Sequence, residues 1–210
     1  MKMCPRRCAH CVSSLLFCLA VISIAASILL LFPNGETEYL KEAHITCQAL
    51  LLPGLWGSGF MVFLAALSIH NAATDRCCCF CTSTRVKMFV SIIWSKLVIV
   101  SSCICLGISA LGLANGPLCL FNVSVSNNTQ VQHWGTPFNT SSMIASPDCY
   151  LYNPSLWEIC ERPKNVVLWN IILFLILIII SCLQVLLCTL QIINGYFGCV
   201  FGRCLHANTK

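Results

Sequence analysis

Cysteine is the most reactive residue type that is abundant in this sequence of 210 residues, with 18 copies. The densest cluster is "DRCCCFC", residues 75–81, in which four cysteines lie between two long apolar runs. Thiols in such a cluster can form disulfides in an oxidising compartment, bind a metal ion, or carry lipid chains beside a membrane. The chemistry therefore depends on the compartment that this segment faces.

The composition indicates a membrane protein. The sequence is 58% hydrophobic and only 9% charged, whereas soluble domains carry about 25% charged residues. The net charge of +5 is modest, and the basic residues form short clusters without interleaved aromatic residues. This pattern argues against nucleic acid as a partner and favours a cationic surface that faces membrane lipids.

Four segments are long and apolar enough to cross a bilayer, whose core takes about 20 helical residues. We predict spans at residues 12–32, 45–69, 88–114 and 166–190. The first run follows basic residues and could be a cleaved signal, but its apolar core is longer than that of a signal peptide, which favours a retained span.

The distribution of lysine and arginine predicts the orientation, because short basic loops tend to remain cytosolic. We therefore assign residues 1–11, 70–87 and 191–210 to the cytosol, and residues 33–44 and 115–165 to the outside. The eight basic residues on the cytosolic side are Lys2, Arg6, Arg7, Arg76, Arg85, Lys87, Arg203 and Lys210. Both termini are thus predicted to be cytosolic.

Three N-glycosylation motifs agree with this topology. They begin at Asn122, Asn127 and Asn139, all within the long loop that the charges place outside. Each motif alone is common by chance, but their confinement to one loop favours a lumenal or extracellular location.

The cysteines of that loop lie in an oxidising compartment, where disulfides persist. Cys119 follows the third span and Cys160 precedes the fourth, so a bridge between them would attach both ends of the loop to the helices. Cys149 could pair with Cys47 or remain a free thiol, and the sequence does not decide between these.

The "DRCCCFC" segment faces the reducing cytosol, so a structural disulfide is disfavoured there. Adjacent cysteines also wrap poorly around a tetrahedral zinc ion, which leaves palmitoylation as the favoured interpretation and an unmodified cluster as the alternative. The candidate acylation sites share the predicted cytosolic membrane face and are Cys4, Cys8, Cys11, Cys77, Cys78, Cys79, Cys81, Cys199 and Cys204.

Polar and small residues inside the spans mark helix contacts. Lys96 is close enough to the cytosolic end to extend its ammonium group to the headgroups, which we favour over an ion pathway. Intramembrane amides are expected to bond across helices; they are Gln48, Asn170, Gln184 and Asn194. Small residues of the second span predict close packing, within the bundle in preference to a homo-oligomer seam; they are Gly54, Gly57, Ser58 and Gly59.

Several motifs together resemble the transmembrane 4 L6 family, the tetraspanin-like L6 antigens. They are "FPNGET" at 32–37, "ALGLANGPLCL" at 110–120, "LWEICERP" at 156–163, "WNIILFLIL" at 169–177 and "QIINGYFG" at 191–198. The resemblance implies a surface or endosomal adaptor that clusters integrins and signalling proteins in lipid-rich microdomains. Its paired loop cysteines match Cys119 and Cys160, whereas Cys149, the extra sequons and Lys96 depart from the family pattern.

These observations predict an all-α membrane protein: a four-helix, tetraspanin-like bundle with a disulfide-linked, glycosylated second outer loop. No set of residues suggests catalysis, a cofactor or a metal site. The predicted function is a non-catalytic organiser of integrin- or receptor-type membrane proteins, in contact with membrane lipids, at the plasma membrane or in endosomal and lysosomal membranes. The alternative is a small channel or transporter subunit that uses Lys96 and the intramembrane amides.

Overall fold

The structure is a computed structural model. It describes residues 5–36, 39, 45–74, 81–125, 129–138 and 150–201. Three long helices and one interrupted helix dominate it: α1 (Pro5–Leu30), α2 (Cys47–Leu50), α3 beginning at Pro53, α4 (Cys81–Asn115) and α5 (Val166–Phe201). Helix α3 consists of Pro53–Leu55, a π-helical turn Trp56–Phe60, and Met61–Thr74.

Among the described residues, four helical segments are long and apolar enough to cross a membrane, namely Cys8–Leu30, Cys47–Ala72, Phe89–Asn115 and Val166–Tyr196. The predicted four-span helical architecture is therefore confirmed, and the chain is a multi-pass membrane protein. Helices α1, α4 and α5 also extend beyond the predicted spans, because a helix can continue past the apolar core wherever nothing stops its backbone hydrogen bonds.

The second span is interrupted where α2 ends. Leu52 adopts a positive φ of 47°, and Pro53 has no backbone N–H to continue the helix from α2. The π-turn that follows contains one more residue than an α-helical turn, and such turns frequently occur at functional sites. Carbonyl groups of this region consequently need partners from neighbouring helices, since lipid supplies none.

The chain divides into two compact units. Unit one comprises Met1–Ile24, Gly54–Cys105 and Ile180–Lys210, and unit two comprises Ala25–Pro53 and Leu106–Ile179. The core of unit one is built largely from small and aliphatic side chains: Ala9, Val12, Leu16, Ala20, Val62, Ala65, Ala66, Ile69, Val98 and Cys188.

Unit two has two hydrophobic clusters. One consists of helical residues packed around the fully buried Phe174. The Phe174 ring lies so close to Gly112 that a Cβ on Gly112 would overlap the ring. The other surrounds the disulfide and includes Tyr150, Val166 and Val167.

A β-hairpin follows α4 and was not predicted from the sequence. Strand β1 (Cys119–Val125) pairs antiparallel with β2 (Thr129–Gly135), with Cys119 opposite Gly135 and Val125 opposite Thr129. The remainder of the described segment between α4 and α5 contains a 3₁₀ helix, Pro154–Ile159.

Candidate interaction site

The hairpin is attached covalently at its base. A disulfide joins Cys119, the first residue of β1, to Cys160, with their Cα atoms 5.5 Å apart and a sequence separation of 41. Cys119 is fully buried. The predicted disulfide-linked second loop is thus confirmed, and the bond fixes the start of β1 next to the segment that leads into α5.

Backbone hydrogen bonds extend this attachment. The Leu120 N–H donates to the Arg162 carbonyl over 2.9 Å, and the Glu161 N–H donates to the Leu120 carbonyl over 3.0 Å. Strand β1 therefore pairs with β2 on one edge and with the short segment 161–162 on the other. Among the described residues, β2 is therefore an edge strand, because it pairs on one side only.

The Glu161 carboxylate reinforces the same junction through side chains. Its Oε1 accepts from the Asn122 amide over 2.5 Å, and its Oε2 accepts from the Gln132 amide over 3.0 Å. Asn122 and Gln132 lie opposite each other in the strand register, so one carboxylate links both strands. Hydrogen bonds to an ionised acceptor are stronger than neutral ones.

Aromatic side chains support the base of the hairpin. The Tyr150 and Phe138 rings stack with their centroids 4.5 Å apart, the Trp157 indole donates to the Tyr150 carbonyl over 2.8 Å, and the Tyr150 hydroxyl donates to the Leu113 carbonyl. Gly116 has a φ of 72°, and a Cβ there would lie 3.0 Å from the Phe138 ring. This position therefore requires glycine for both its conformation and its space.

The opposite face of the hairpin is apolar and exposed. Side chains alternate between the two faces of a strand, so the face that does not hold Asn122 carries Phe121, Val123, Val131 and His133. Val123 is 37% exposed and Val131 is 51% exposed. These two opposed valines leave apolar surface exposed on this face of the hairpin.

Comparison with known proteins assigns the chain to a family. A family model described as "L6 membrane protein" matches residues 3–205. The chain belongs to the transmembrane 4 L6 family. Human transmembrane 4 L6 family members 5 and 1 are each 36% identical to it, over 203 and 206 residues, with 96% of both chains covered in each case. Mouse member 19 is 34% identical over 202 residues, with 96% of this chain and 94% of the relative covered. No solved structure matches.

The L6 family chain holds a buried amide network in unit one. Gln184 is fully buried, and its Oε1 accepts from the hydroxyls of Ser58 over 2.6 Å and Ser102 over 3.1 Å. Its Nε2 donates to the Ser58 carbonyl over 2.8 Å. The network joins α3, α4 and α5, and it supplies a partner to a carbonyl within the π-turn. The carbonyl of Gly54, which precedes the π-turn, accepts a hydrogen bond from the Ser23 hydroxyl of α1 over 3.1 Å.

The small residues of the second span lie against neighbouring helices of the L6 chain. A Cβ at Gly57 would be 2.9 Å from the Ser101 carbonyl oxygen, and one at Gly59 would be 2.5 Å from the Gly54 oxygen and the Ile24 side chain. Ser58, Gly59 and Gly54 are buried. These close approaches join residues of unit one, and the preference for packing within the bundle over a homo-oligomer seam stays a prediction.

Of the predicted modification sites, only a few lie among the described side chains. Cys11 is exposed, whereas Cys8 is partly buried and packs against the core of unit one. Asn122 lies on β1 and is exposed. The remaining predicted acylation sites, Cys4, Cys77, Cys78, Cys79, Cys81, Cys199 and Cys204, and the sequons Asn127 and Asn139, lie outside the described side chains, as does Cys149.

Sequence reasoning missed two contributors to the site. Glu161 lies in no motif that marks it for a contact, yet its carboxylate binds both strands. The hairpin itself was missed, although alternation of apolar and polar residues in "FNVSV" and "TQVQHW" around "NN" is the usual signal for one.

Proposed function

We propose that this L6 family protein is a non-catalytic organiser that gathers other membrane proteins, of the integrin or receptor type, into lipid-rich regions of a membrane. The anchored hairpin carries this proposal. Its position is set by a disulfide, by backbone pairing to residues 161–162, and by the Glu161 carboxylate, while its Val123 and Val131 face outward. A rigid surface binds at a lower entropic cost than a flexible loop does.

The Glu161 contact gives a direct test of the proposal. Glu161→Ala removes both acceptors for Asn122 and Gln132 while leaving the disulfide and the spans in place, so it should loosen the hairpin and reduce the recovery of partner proteins purified with the chain in mild detergent. Glu158→Ala is the matched control, because Glu158 is also an exposed acid near the disulfide and makes no described contact with the strands.

Delivery to the membrane must be measured for both variants, since only a change in partner recovery at equal surface amount concerns the interface. Equal partner recovery for wild type and Glu161→Ala at equal surface amount would count against the hairpin as the organising surface. A second variant, Val131→Lys, leaves the Glu161 contact intact and places a charge on the outward face, so it should lower partner recovery independently.

Acylation of the cytosolic face belongs to the same proposal. Four spans already anchor the chain, so acyl chains on the "DRCCCFC" cysteines and on Cys11 would instead bias its lateral position toward ordered lipid. The outer loop would carry glycans at Asn122, Asn127 and Asn139, with both termini cytosolic. Replacing all three asparagines should abolish the mass shift that endoglycosidase produces, and a shift that survives would contradict the loop assignment.

The glycan at Asn122 would be attached to the amide nitrogen that donates to Glu161. Attachment replaces one of the two hydrogens of that nitrogen, so a single N–H would remain for the carboxylate. Site-by-site mass spectrometry should therefore show whether Asn122 differs in occupancy from Asn127 and Asn139.

The alternative of a channel or transporter subunit rested on Lys96 and the intramembrane amides. Lys96 is exposed on α4, and Gln184 is engaged in three hydrogen bonds. Among the described residues, neither the exposed Lys96 nor the hydrogen-bonded Gln184 favours a path for ions or polar substrates through the spans. We therefore propose the organiser function and not the channel or transporter function.

A further inference from the structure

Lys96 is the single Asp, Glu, Lys or Arg residue in the four membrane-spanning segments. It lies within Phe89–Asn115, seven residues after Phe89. Ionisable residues at membrane depth are costly and normally face the interior of the bundle, where they pair with other groups. Lys96 is instead exposed, and it forms no ion pair with another described residue.

The surroundings of Lys96 on α4 are those of a lipid-facing helix surface. The residues one and two turns away on the same side are exposed and apolar: Phe89 is 60% exposed, Ile93 44% and Val100 59%. The opposite side of the helix is buried, with Ser91, Ser95 and Val98 each at 2% exposure or less. Lys96 thus projects from the bundle toward whatever surrounds it.

The direction of the side chain favours one end of the span. Side chains on an α-helix lean toward its N-terminus, so the Lys96 ammonium group leans toward Phe89 and the membrane boundary where α4 enters. The rise from Phe89 to Lys96 is about 10 Å, and the flexible four-carbon stem of lysine covers much of that distance. The charge can therefore approach the headgroup region at the end of the span where α4 enters the membrane.

We infer that Lys96 is a contact for the phosphate of an anionic phospholipid in the leaflet where α4 begins, with the acyl chains lying along Phe89 and Ile93. No carboxylate in the chain's own spans competes for the ammonium group. An anionic headgroup offers a net negative charge, whereas the phosphate of a zwitterionic lipid is already balanced by its own cationic group. The inference is independent of the proposed partner-gathering function.

Photoactivatable phosphatidylserine tests this contact in the full-length protein reconstituted into phosphatidylcholine vesicles that contain phosphatidylserine. Labelling of the segment that includes Phe89 and Lys96, mapped by mass spectrometry, should fall about fivefold in Lys96→Leu, the effect expected for one basic residue near a charged membrane surface. Lys96→Gln should behave in the same way, and Lys96→Arg should retain the labelling. Lys164→Leu removes a basic residue just before α5, away from the start of α4, and should leave the labelling of the segment with Phe89 and Lys96 unchanged.

A matching experiment uses photoactivatable phosphatidylcholine, which should label this segment equally in all variants. Undiminished phosphatidylserine labelling in both Lys96→Leu and Lys96→Gln would overturn the inference. It would also be overturned if both lipids lost labelling in parallel, since that result would indicate a changed helix surface. If lipid labelling were unchanged but a co-purified membrane protein were lost, Lys96 would instead pair with a carboxylate in the span of that protein.

Discussion

The contacts that stabilise unit one internally differ in chemistry from those that stabilise the hairpin region of unit two. In unit one, helices meet through small residues and through serine and glutamine side chains, as in the network of Gln184 with Ser58 and Ser102. Around the hairpin, a disulfide, stacked aromatic rings and a charged acceptor perform that role. Lipid gives helices no hydrophobic reason to associate, so the spans use close packing and hydrogen bonds. The segment between α4 and α5, which lies beyond the spans, can also use burial from water.

The largest effect is expected from removing the disulfide. Closing a loop of this length contributes about 4 kcal/mol in the chain-entropy model, so Cys119→Ala with Cys160→Ala should release the hairpin and make residues 116–165 sensitive to protease. Limited proteolysis in mild detergent, without reductant, measures this directly. Cys103→Ala, at an exposed free thiol, is the control. Equal protease resistance in the double variant would show that the noncovalent contacts suffice.

A smaller loss is expected from the amide network. Gln184→Leu removes three hydrogen bonds and leaves two buried serine hydroxyls without this partner, which should cost about 2 kcal/mol, because each such bond in a membrane contributes about 0.6 kcal/mol or more. Thermal unfolding in detergent is the measurement. Gln191→Leu is the matched control: Gln191 is also buried, yet it makes a single 3.4 Å contact with Ser91 and its Oε1 has no partner among the described atoms. A change of similar size in both variants would refute a special role for Gln184.

Helix packing in unit one should respond to one added methyl group. Gly59→Ala would place its Cβ 2.5 Å from the Gly54 oxygen, and overpacking of this kind costs about 1 to 3 kcal/mol. Gly107→Ala adds the same methyl group to α4, where nothing lies within 4 Å, so its stability should be unchanged or slightly higher. Equal melting temperatures for the two variants would indicate that the contact at Gly59 relaxes freely.

No effect on folding is expected from the cysteine cluster. Replacing Cys77, Cys78, Cys79 and Cys81 with serine should leave glycosylation and thermal stability intact and reduce acyl labelling that hydroxylamine removes. Persistent labelling would contradict acylation at these residues, and stoichiometric zinc that is present in the wild type and absent from the variant would establish a metal site.

The sequence predicted the spans well because the length of an apolar run is a direct physical requirement of the bilayer. Cys119 and Cys160 were predictable as a pair because each lies at one end of the loop between the third and fourth spans. The Glu161 contact was not predictable, since it requires the register that places Asn122 opposite Gln132, which no local pattern of charge reveals. Similarly, the small residues of the second span indicated close packing, but the π-turn depends on a tertiary partner for the Ser58 carbonyl, which no local pattern reveals.

The π-turn at Trp56–Phe60 also sets the phase of the second span. One additional residue in a helical turn rotates everything that follows by about 100° relative to an uninterrupted α-helix. The residues of the second span that point into the core of unit one therefore do so only because the turn is present; they are Val62, Ala65, Ala66 and Ile69. An uninterrupted α-helix of the same sequence would have the same composition and hydropathy but would turn this face away from its neighbours, whereas deleting one residue within 56–60 would let an ordinary α-helical turn keep the phase.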